Sequence, residues 1–257
     1  MRLEQNGRAG NAGPQRLPAP FATTIPGLEL WLCPLAAPVE ALPAFVSTLS
    51  AAERARTERL GNEALRARYV VGRATLRMLL ASALGLTPAG VPLRHGPRGR
   101  PEVDLPGHVL DFNVSHTRDV ALIAVLCDAP TTTRIGVDIE HLDREVGADR
   151  LARRYLTPSE RTDFEVLPAD ARRRRFLRLW TCKEAMSKAT GDGLRAPMRQ
   201  LDVAVEDGLR LVGGPPPYAP PDWRLEAVAL ADDYVATVAL WSGAPGFDRY
   251  RDTPTNL

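Results

Sequence analysis

The chain has 257 residues, 44% of them hydrophobic and 25% charged, which is the composition of an ordinary globular protein with one large or two small domains. A net charge of +2 is too weak to indicate nucleic-acid binding, and the longest apolar run, residues 120–127, is too short to cross a bilayer. The start of the chain lacks a signal-peptide pattern, and three isolated cysteines predict neither disulfides nor a zinc site, so we expect a cytoplasmic protein.

The two ends of the chain differ in composition from its middle. Residues 1–25 are rich in Gly, Ala, Pro and Asn with few apolar anchors, and residues 246–257 are similar. Such segments bury too little apolar surface to offset the entropy of ordering, so we expect two disordered tails.

An internal repeat organises the region between the tails. Ser50 and Thr157 each begin a helix-start pattern in which a hydroxyl residue is followed three positions later by Glu. Further on, residues 111–126 and 225–240 both read as two strands around a short turn.

This repeat predicts an α+β fold of two similar halves related by a pseudo-twofold axis. Each half would be an antiparallel sheet packed with helices, over residues 26–130 and 134–245. The cleft between two such halves is a preferred place for a ligand, so we expect the active site there.

A basic turn and a short strand are the first segments with candidate binding residues. Residues 96–101 form a Gly/Pro turn with Arg98 and Arg100, which suits either a phosphate contact or an ordinary basic hairpin turn. Ser115 and His116 follow a short apolar strand and are expected at its exposed turn, where both could bind phosphate. Adjacent strand residues point to opposite faces, so this pair does not indicate a serine hydrolase.

Residues 134–140 read as a buried strand that ends in two acidic side chains. Strand side chains alternate, so Asp138 and Glu140 share one face. Two such carboxylates suit Mg²⁺, which takes one or two carboxylates together with substrate phosphates. A strand that runs into a solvated acidic turn has the same pattern, and the pair by itself does not decide between them.

The segment 176–190 reads as a largely buried helix that holds both lysines of the chain. Lys183 and Lys188 are the only lysines among 33 basic residues, and Glu184 and Lys188 share a helix face. One explanation for two lysines in a single segment is an arginine-rich composition in which they lie together by chance. The other is chemistry that needs a compact ammonium, since Lys tunes its pKa and donates protons more readily than Arg.

Together these motifs resemble the 4′-phosphopantetheinyl transferases, specifically the larger, pseudodimeric Sfp-type enzymes. The family pattern is Gly-x-Asp followed by Trp-x-x-Lys-Glu-Ala/Ser-x-x-Lys, here from Gly136 to Asp138 and from Trp180 to Lys188. Gly99-Arg100-Pro101 and residues 112–116 resemble the upstream motifs. The resemblance implies transfer of the 4′-phosphopantetheine arm of coenzyme A to a serine of an apo acyl- or peptidyl-carrier protein, with release of 3′,5′-ADP. By analogy, polyketide, non-ribosomal peptide or siderophore synthases would be served.

The resemblance also implies a role for each matched residue. Asp138, Glu140 and Glu184 would hold Mg²⁺, Glu184 would accept the proton of the carrier serine, and Lys188 would neutralise the departing phosphate, which makes Asp138, Glu184 and Lys188 the catalytic set. Contacts with coenzyme A are implied for a further group: Arg56, Arg68, Arg100, Ser115, His116, Lys183 and Lys188. Glu53 stands where some family members have a lysine.

Two other function classes compete with this hypothesis. One is a different Mg²⁺-dependent phosphotransferase or nucleotidyltransferase, although a Walker-type loop is absent from the sequence. The other is a carrier-protein or nucleic-acid binding module without catalysis, which the intact set of acidic residues and Lys188 argues against. We expect a monomeric enzyme that binds neither nucleic acid nor membranes.

Overall fold

The computed structural model describes residues 17–96, 98–107 and 109–243. The C-terminal tail predicted at 246–257 and residues 1–16 of the predicted N-terminal tail lie outside them. Composition predicts a disordered tail for residues 17–25, but Phe21 forms an antiparallel bridge with Leu30 and Ile25 is only 4% exposed. Phe21 and Ile25 thus pack against the core, and a backbone bond from Phe21 N to the Leu30 carbonyl oxygen joins the stretch to β1.

The chain divides into two compact units, each described separately. The smaller unit includes Leu35–Gly90, and the larger combines Ala19–Pro34 with the chain from Val91 onward. The described part of the smaller unit is helical, with α1 (Leu42–Ser47), α2 (Ala51–Glu58) and α3 (Glu63–Leu84). Its core consists of five buried apolar residues: Phe45, Leu49, Val70, Val71 and Ala74.

The larger unit contains two antiparallel three-stranded sheets with the strand orders β1-β5-β4 and β6-β10-β9. The strands of the first sheet are β1 (Leu28–Pro34), β4 (Leu110–Thr117) and β5 (Val120–Cys127). Those of the second are β6 (Arg134–His141), β9 (Trp223–Ala227) and β10 (Tyr234–Trp241). Two hairpins pair β2 (Leu93–His95) with β3 (Pro101–Val103) and β7 (Asp202–Ala204) with β8 (Arg210–Gly213).

Three helices complete the larger unit: α4 (Ala148–Tyr155), α5 (Pro158–Glu165) and α6 (Ala169–Thr190). The apolar face of α6 packs on the second sheet, with Leu177, Met186 and Ala239 in one buried cluster. None of the helices in the described ranges is both long and apolar enough to span a membrane.

The predicted α+β class with two similar halves is confirmed by the element order. One strand, a capped short helix, a long helix, a hairpin and two antiparallel strands follow one another twice. Ser50 and Thr157 both form complete capping boxes at the starts of α2 and α5, and the long helices α3 and α6 both have 22 residues. The boundary of the halves near residues 130–134 stays a prediction.

The two sheets meet at β4 and β6 through a ladder of side chains. Alternate residues of β4 accept hydrogen bonds from alternate backbone N–H groups of β6. The pairs are Ile135 N with Asp111 Oδ2 (2.7 Å), Val137 N with Asn113 Oδ1 (3.1 Å) and Ile139 N with Ser115 Oγ (3.4 Å). The N–H groups on the edge of β6 that faces β4 are thus satisfied by side chains, whereas the other edge of β6 forms a backbone ladder with β10.

Gly136 allows α6 to lie directly against β6. A Cβ atom on Gly136 would be 1.9 Å from the Ala185 carbonyl oxygen and 2.7 Å from the Ala189 nitrogen. No side chain fits in that space, so the glycine determines how closely the helix approaches the strand. This approach brings the C-terminal turns of α6 over the acidic end of β6.

Candidate active site

Lys188, in the last turn of α6, reaches across to both β6 and β4. Its Nζ donates to Asp138 Oδ1 at 2.7 Å, to Ser115 Oγ at 2.8 Å and to the Val137 carbonyl oxygen at 3.1 Å. The side chain is 26% exposed, whereas that of Asp138 is 8% exposed. The structure thus brings together Lys188, Asp138 and Ser115 from three elements distant in sequence.

Ser115 is an inward-facing member of β4 and not part of a turn. The strand continues to Thr117, and Ser115 is only 4% exposed. Its hydroxyl donates to Asp138 Oδ1 at 2.8 Å and accepts from Lys188. The prediction of an exposed turn was wrong for Ser115, because it missed that β4 faces a second sheet. His116, the next residue, points to the other face and is exposed.

Glu140 and Glu184 are carboxylates whose charge the site disfavours. Burial raises the pKa of Glu184, and the nearby negative charge of Asp138 raises it further, while Lys188 lowers it. Burial and Asp138 likewise raise the pKa of Glu140, opposed by Arg144 and Lys188. The Arg144 guanidinium forms an ion pair with Glu140. The region thus contains three carboxylates, those of Asp138, Glu140 and Glu184, but only two cations, Lys188 and Arg144. Its side chains therefore carry an excess of negative charge when all are ionised.

Two carboxylate oxygens of the site have no hydrogen-bond partner in the part of the chain that the structure describes, and they suit a cation. Asp138 Oδ2 and Glu184 Oε1 are buried and have no hydrogen-bond partner within the described residues. A buried polar atom without a partner costs free energy, and a carboxylate oxygen costs more than a neutral one. These two oxygens, on β6 and α6, belong to residues predicted to bind Mg²⁺.

The donor set fits a magnesium ion in part. Oxygen ligands and residual negative charge suit Mg²⁺, which usually keeps waters and substrate phosphates among its ligands and needs few protein groups. In residues 17–96, 98–107 and 109–243, however, no three His, Cys, Asp or Glu side chains are already grouped as a metal cage. Asp138, Glu140 and Glu184 are thus suitable ligands whose side chains are not preassembled around an ion.

Arg100 lies inside the protein and not on an exposed turn. Its guanidinium forms a two-pronged ion pair with Asp111, at 2.8 Å for both contacts, and its side chain is 7% exposed. It also donates to the Phe112, Ile135 and Lys188 carbonyl oxygens, at 3.1, 2.7 and 3.0 Å. Bonds from all three nitrogens fix the guanidinium inside the protein, so the predicted contact of Arg100 with coenzyme A would depend on the one Nη1 hydrogen that these bonds do not use.

Lys183 is also a buried residue with internal partners. Its Nζ contacts Glu160 Oε2 at 2.6 Å and the carbonyl oxygens of Tyr155 and Met198 at 3.0 and 2.9 Å, and the side chain is fully buried. Burial raises the pKa of Glu160 and lowers that of Lys183, while their mutual attraction opposes both shifts. Three acceptors use all three ammonium donors, so Lys183 has a structural role here.

The same ion pair occurs in the helical unit. Glu53, the third residue of α2 and the acidic member of its capping box, pairs with Arg77 of α3, just as Glu160 of the α5 capping box pairs with Lys183 of α6. Arg77 also donates to the Pro88 and Ala89 carbonyl oxygens. The acidic residue at position 53, unexpected from the family pattern, is therefore explained by the repeat.

Two further residues predicted to bind coenzyme A belong to the helical unit. Arg56 is exposed on α2, with its guanidinium 5.5 Å from the centre of the Tyr69 ring, and Arg68 is half-buried on α3. Sequence reasoning missed Asp111, Asn113 and Glu160. Alternating polar residues at 111, 113 and 115 in an apolar strand were a signal for the first two, and the repeated capping box was a signal for Glu160.

Comparison with known proteins identifies the class to which this fold and site belong. A family model described as the 4′-phosphopantetheinyl transferase superfamily matches residues 134–239, the range that contains β6, α6 and their acidic and lysine residues. The chain is 35% identical over 217 residues to the 4′-phosphopantetheinyl transferase HetI of Nostoc sp., covering 83% of this chain and 87% of the relative.

Two further relatives agree. A putative 4′-phosphopantetheinyl transferase of Synechocystis sp. is 32% identical over 84% of this chain and 86% of its own length. The 4′-phosphopantetheinyl transferase Sfp of Bacillus subtilis is 23% identical over 77% of this chain and 89% of its own. The chain belongs to the 4′-phosphopantetheinyl transferase superfamily and is an Sfp-type enzyme, as its motifs predicted.

Proposed function

We propose that this enzyme transfers the 4′-phosphopantetheine arm of coenzyme A to a serine hydroxyl of an apo carrier protein and releases 3′,5′-ADP, with Mg²⁺ as cofactor. The observation that carries the proposal is the meeting of Lys188 with Asp138 and Ser115, beside the unpaired oxygens of Asp138 and Glu184. A cation donor and free carboxylate oxygens are the groups that displacement at a diphosphate requires.

Glu184 is the proposed general base. The raised pKa of its carboxyl makes it a better proton acceptor than an ordinary glutamate, and it is only partly buried. It would take the proton of the carrier serine as the serine oxygen attacks the phosphorus atom that bears the pantetheine arm. The bond that breaks joins this phosphorus to the oxygen of 3′,5′-ADP.

Lys188 is the proposed stabiliser of the leaving group. Its ammonium is already oriented by Asp138 and Ser115, and the side chain retains enough exposure to contact a ligand. As charge develops on the departing phosphate oxygen, Lys188 would donate a hydrogen bond or a proton to it. An oriented cation in a partly dry site stabilises such charge without reorganisation.

Asp138, Glu140 and Glu184 are the proposed ligands of Mg²⁺. When bound, the ion would neutralise the diphosphate and supply Lewis-acid stabilisation. The Glu140 carboxylate forms an ion pair with the Arg144 guanidinium in this structure. Glu140 would have to release Arg144 in order to bind the ion. The unpaired oxygens of Asp138 and Glu184 would thereby gain a partner.

The remaining parts of the proposal concern recognition. Exposed His116 and the arginines Arg56 and Arg68 are proposed to contact coenzyme A phosphates, and carriers of polyketide, non-ribosomal peptide or siderophore synthases are proposed as acceptors. We further propose a monomeric, cytoplasmic enzyme. The similarity to a family in which the halves form one chain supports the monomer.

The experiment incubates the purified protein with coenzyme A, Mg²⁺ and several apo carrier proteins, then weighs the carriers by mass spectrometry. We expect a gain equal to one phosphopantetheine group on a single serine, and no gain when that serine is replaced by alanine. Omission of Mg²⁺ by chelation should abolish the gain, and re-addition should restore it. No mass gain on any carrier would contradict the transfer, whereas full activity with chelator would contradict only the metal.

A further inference from the structure

Buried Arg100 connects the backbone of Lys188 to strand β6. The side chain of Lys188 contacts the same strand. Lys188 lies in the last turn of α6, which ends at Gly191 in a left-handed conformation. Carbonyl groups in a last turn lack intrahelical partners and need donors from elsewhere. The Lys188 carbonyl oxygen accepts one long bond, from the Gly191 N–H group at 3.3 Å, and Arg100 Nε donates a shorter one to it at 3.0 Å.

The other end of the same guanidinium is fixed to β4 and β6. It donates to both Asp111 oxygens and to the Ile135 carbonyl oxygen, while Asp111 Oδ2 accepts from the Ile135 N–H group at 2.7 Å. Arg100 and Asp111 therefore bond the backbone carbonyl and the backbone N–H group of Ile135, respectively. The Lys188 side chain contacts the same strand at Asp138, three residues further on.

Lys188 is thus attached to β6 at both of its ends, through its carbonyl by way of Arg100 and through its ammonium by way of Asp138 and the Val137 carbonyl oxygen. An ammonium on a four-carbon chain is flexible, and one fixed end would leave its position loosely defined. A displacement of about 1 Å at a reacting group costs a rate factor of up to about 100. Loss of the carbonyl attachment would therefore affect the ammonium.

From these contacts we propose that Arg100 is a positioning residue for Lys188, which holds the last turn of α6 in place without touching coenzyme A. The proposal rests on the proposed function, because Lys188 has its role there. It replaces the role that the sequence motif implied for Arg100, a contact with the adenine or 3′-phosphate. The two roles predict opposite kinetic results.

The first test uses Arg100→Gln with Arg134→Gln as the matched control, since Arg134 is also buried and lies at the start of β6 with bonds to the Thr131 and Thr133 carbonyl oxygens. We expect Arg100→Gln to lower kcat about 10- to 100-fold and to change KM for coenzyme A less than about threefold. The preference for coenzyme A over 3′-dephospho-coenzyme A should be unchanged. A raised KM with a lost preference would show direct binding and overturn the proposal.

The second test uses the fact that the chain contains only two lysines. Protein labelled with ¹³Cε-lysine gives two side-chain NMR signals, assigned with Lys188→Met. Arg100→Gln should shift the Lys188 signal and leave the Lys183 signal in place, and Arg134→Gln should move neither. An unchanged Lys188 signal would overturn the proposal. This arm needs no catalysis, so it remains decisive even if the wild type fails to transfer phosphopantetheine.

If Arg100→Gln does not fold, Asp111→Asn replaces it, because the amide retains an oxygen for the Ile135 N–H group but loses the charge that holds Arg100. The Lys188 signal should again shift. The test is completed by combining either substitution with Lys188→Met. Because the proposed role of Arg100 acts through Lys188, the added substitution should lower the residual kcat of Lys188→Met by less than about threefold. A full additional loss would mean that the two residues act independently.

Discussion

The Lys188 ammonium lies 2.7 Å from Asp138 Oδ1 and joins the end of helix α6 to strand β6. This bond connects the two halves of the sequence motif that lie more than forty residues apart. It keeps a cation beside the free oxygens of Asp138 and Glu184.

Lys188→Met should reduce transfer strongly while the protein stays folded. The substitution retains the length of the side chain but removes the charge that would stabilise the leaving group, and loss of such a group typically costs about 10²–10³ in kcat. The measurement is kcat by carrier mass gain. Lys188→Arg should recover only part of the loss, since a planar guanidinium cannot occupy the ammonium position between Asp138 and Ser115. Wild-type activity in Lys188→Met would remove Lys188 from the mechanism.

Glu184→Gln should lower kcat by a factor of about 10²–10⁴, the usual contribution of a general base. The amide keeps the shape of the side chain but accepts no proton. Coenzyme A binding, measured by calorimetry, should persist. Glu165→Gln is the control, because Glu165 ends α5 and is exposed. Equal activities of wild type and Glu184→Gln would show that another group takes the proton.

Removal of the Glu184 charge should also stabilise the metal-free protein at neutral pH. The pKa of Glu184 is raised above its ordinary value of 4.5, so the folded state binds a proton more tightly than the unfolded state. Its contribution to stability is therefore present at low pH and is lost as pH rises from about 4.5 through the folded-state pKa.

Thermal melts with chelator from pH 4 to pH 8 measure this effect. Glu184→Gln should melt higher than wild type at pH 7 by a few degrees, roughly the effect of 1 kcal/mol in a chain of this size. Mg²⁺ should raise the melting temperature of the wild type more than that of the variant. A variant that melts lower at pH 7 would contradict the raised pKa.

Lys183→Met should destabilise the protein without changing KM for coenzyme A. The substitution leaves Glu160 buried without its partner, and loss of one member of a buried pair costs about 3–5 kcal/mol. Denaturant unfolding measures the loss, which Glu160→Gln in the same chain should partly relieve. Arg175→Ala, which removes a partner of the exposed Glu206, should cost less than about 1 kcal/mol. A large rise in KM would restore Lys183 to the binding site.

Gly136→Ala should separate α6 from β6. The added methyl group would overlap the Ala185 carbonyl oxygen, so the helix must move, at a cost of about 1–3 kcal/mol or more. Transfer should fall more than tenfold, because Lys188 would no longer meet Asp138. Gly213→Ala is the control, since a Cβ at Gly213 has no neighbour within 4 Å. A fully active, stable Gly136→Ala variant would disprove the packing argument.

Much of the fold followed from local patterns. The capping boxes at Ser50 and Thr157 are local hydrogen-bond arrangements, and both form as predicted. The alternation that places Asp138 and Glu140 on one face is a property of any strand. The repeat therefore predicted two similar halves correctly, although no single match was decisive.

The predictions that the structure changed concern the exposure of charged and polar side chains, which depends on the segment that packs against each residue. Arg100 stands in a Gly/Pro turn that suggests exposure, yet its guanidinium is buried against Asp111. Ser115 ends an apolar run that suggests a turn, yet β6 lies beside it. Lys183 is one residue from Glu184 in the motif, but on a helix this rotation directs it away from Lys188 and towards Glu160.

The sequence by itself determined the class of enzyme and the two-half architecture, and it predicted Asp138, Glu184 and Lys188 as the centre of the site, because motif spacing and hydrophobic period are local properties of the chain. Only the tertiary structure decided which charged side chains are free for a ligand. Burial and pairing depend on contacts between segments far apart in sequence, such as Arg100 with Lys188 and Glu160 with Lys183. A charged side chain that pairs inside the protein, such as Arg100 or Lys183, helps to hold in place the side chains that remain available to a ligand.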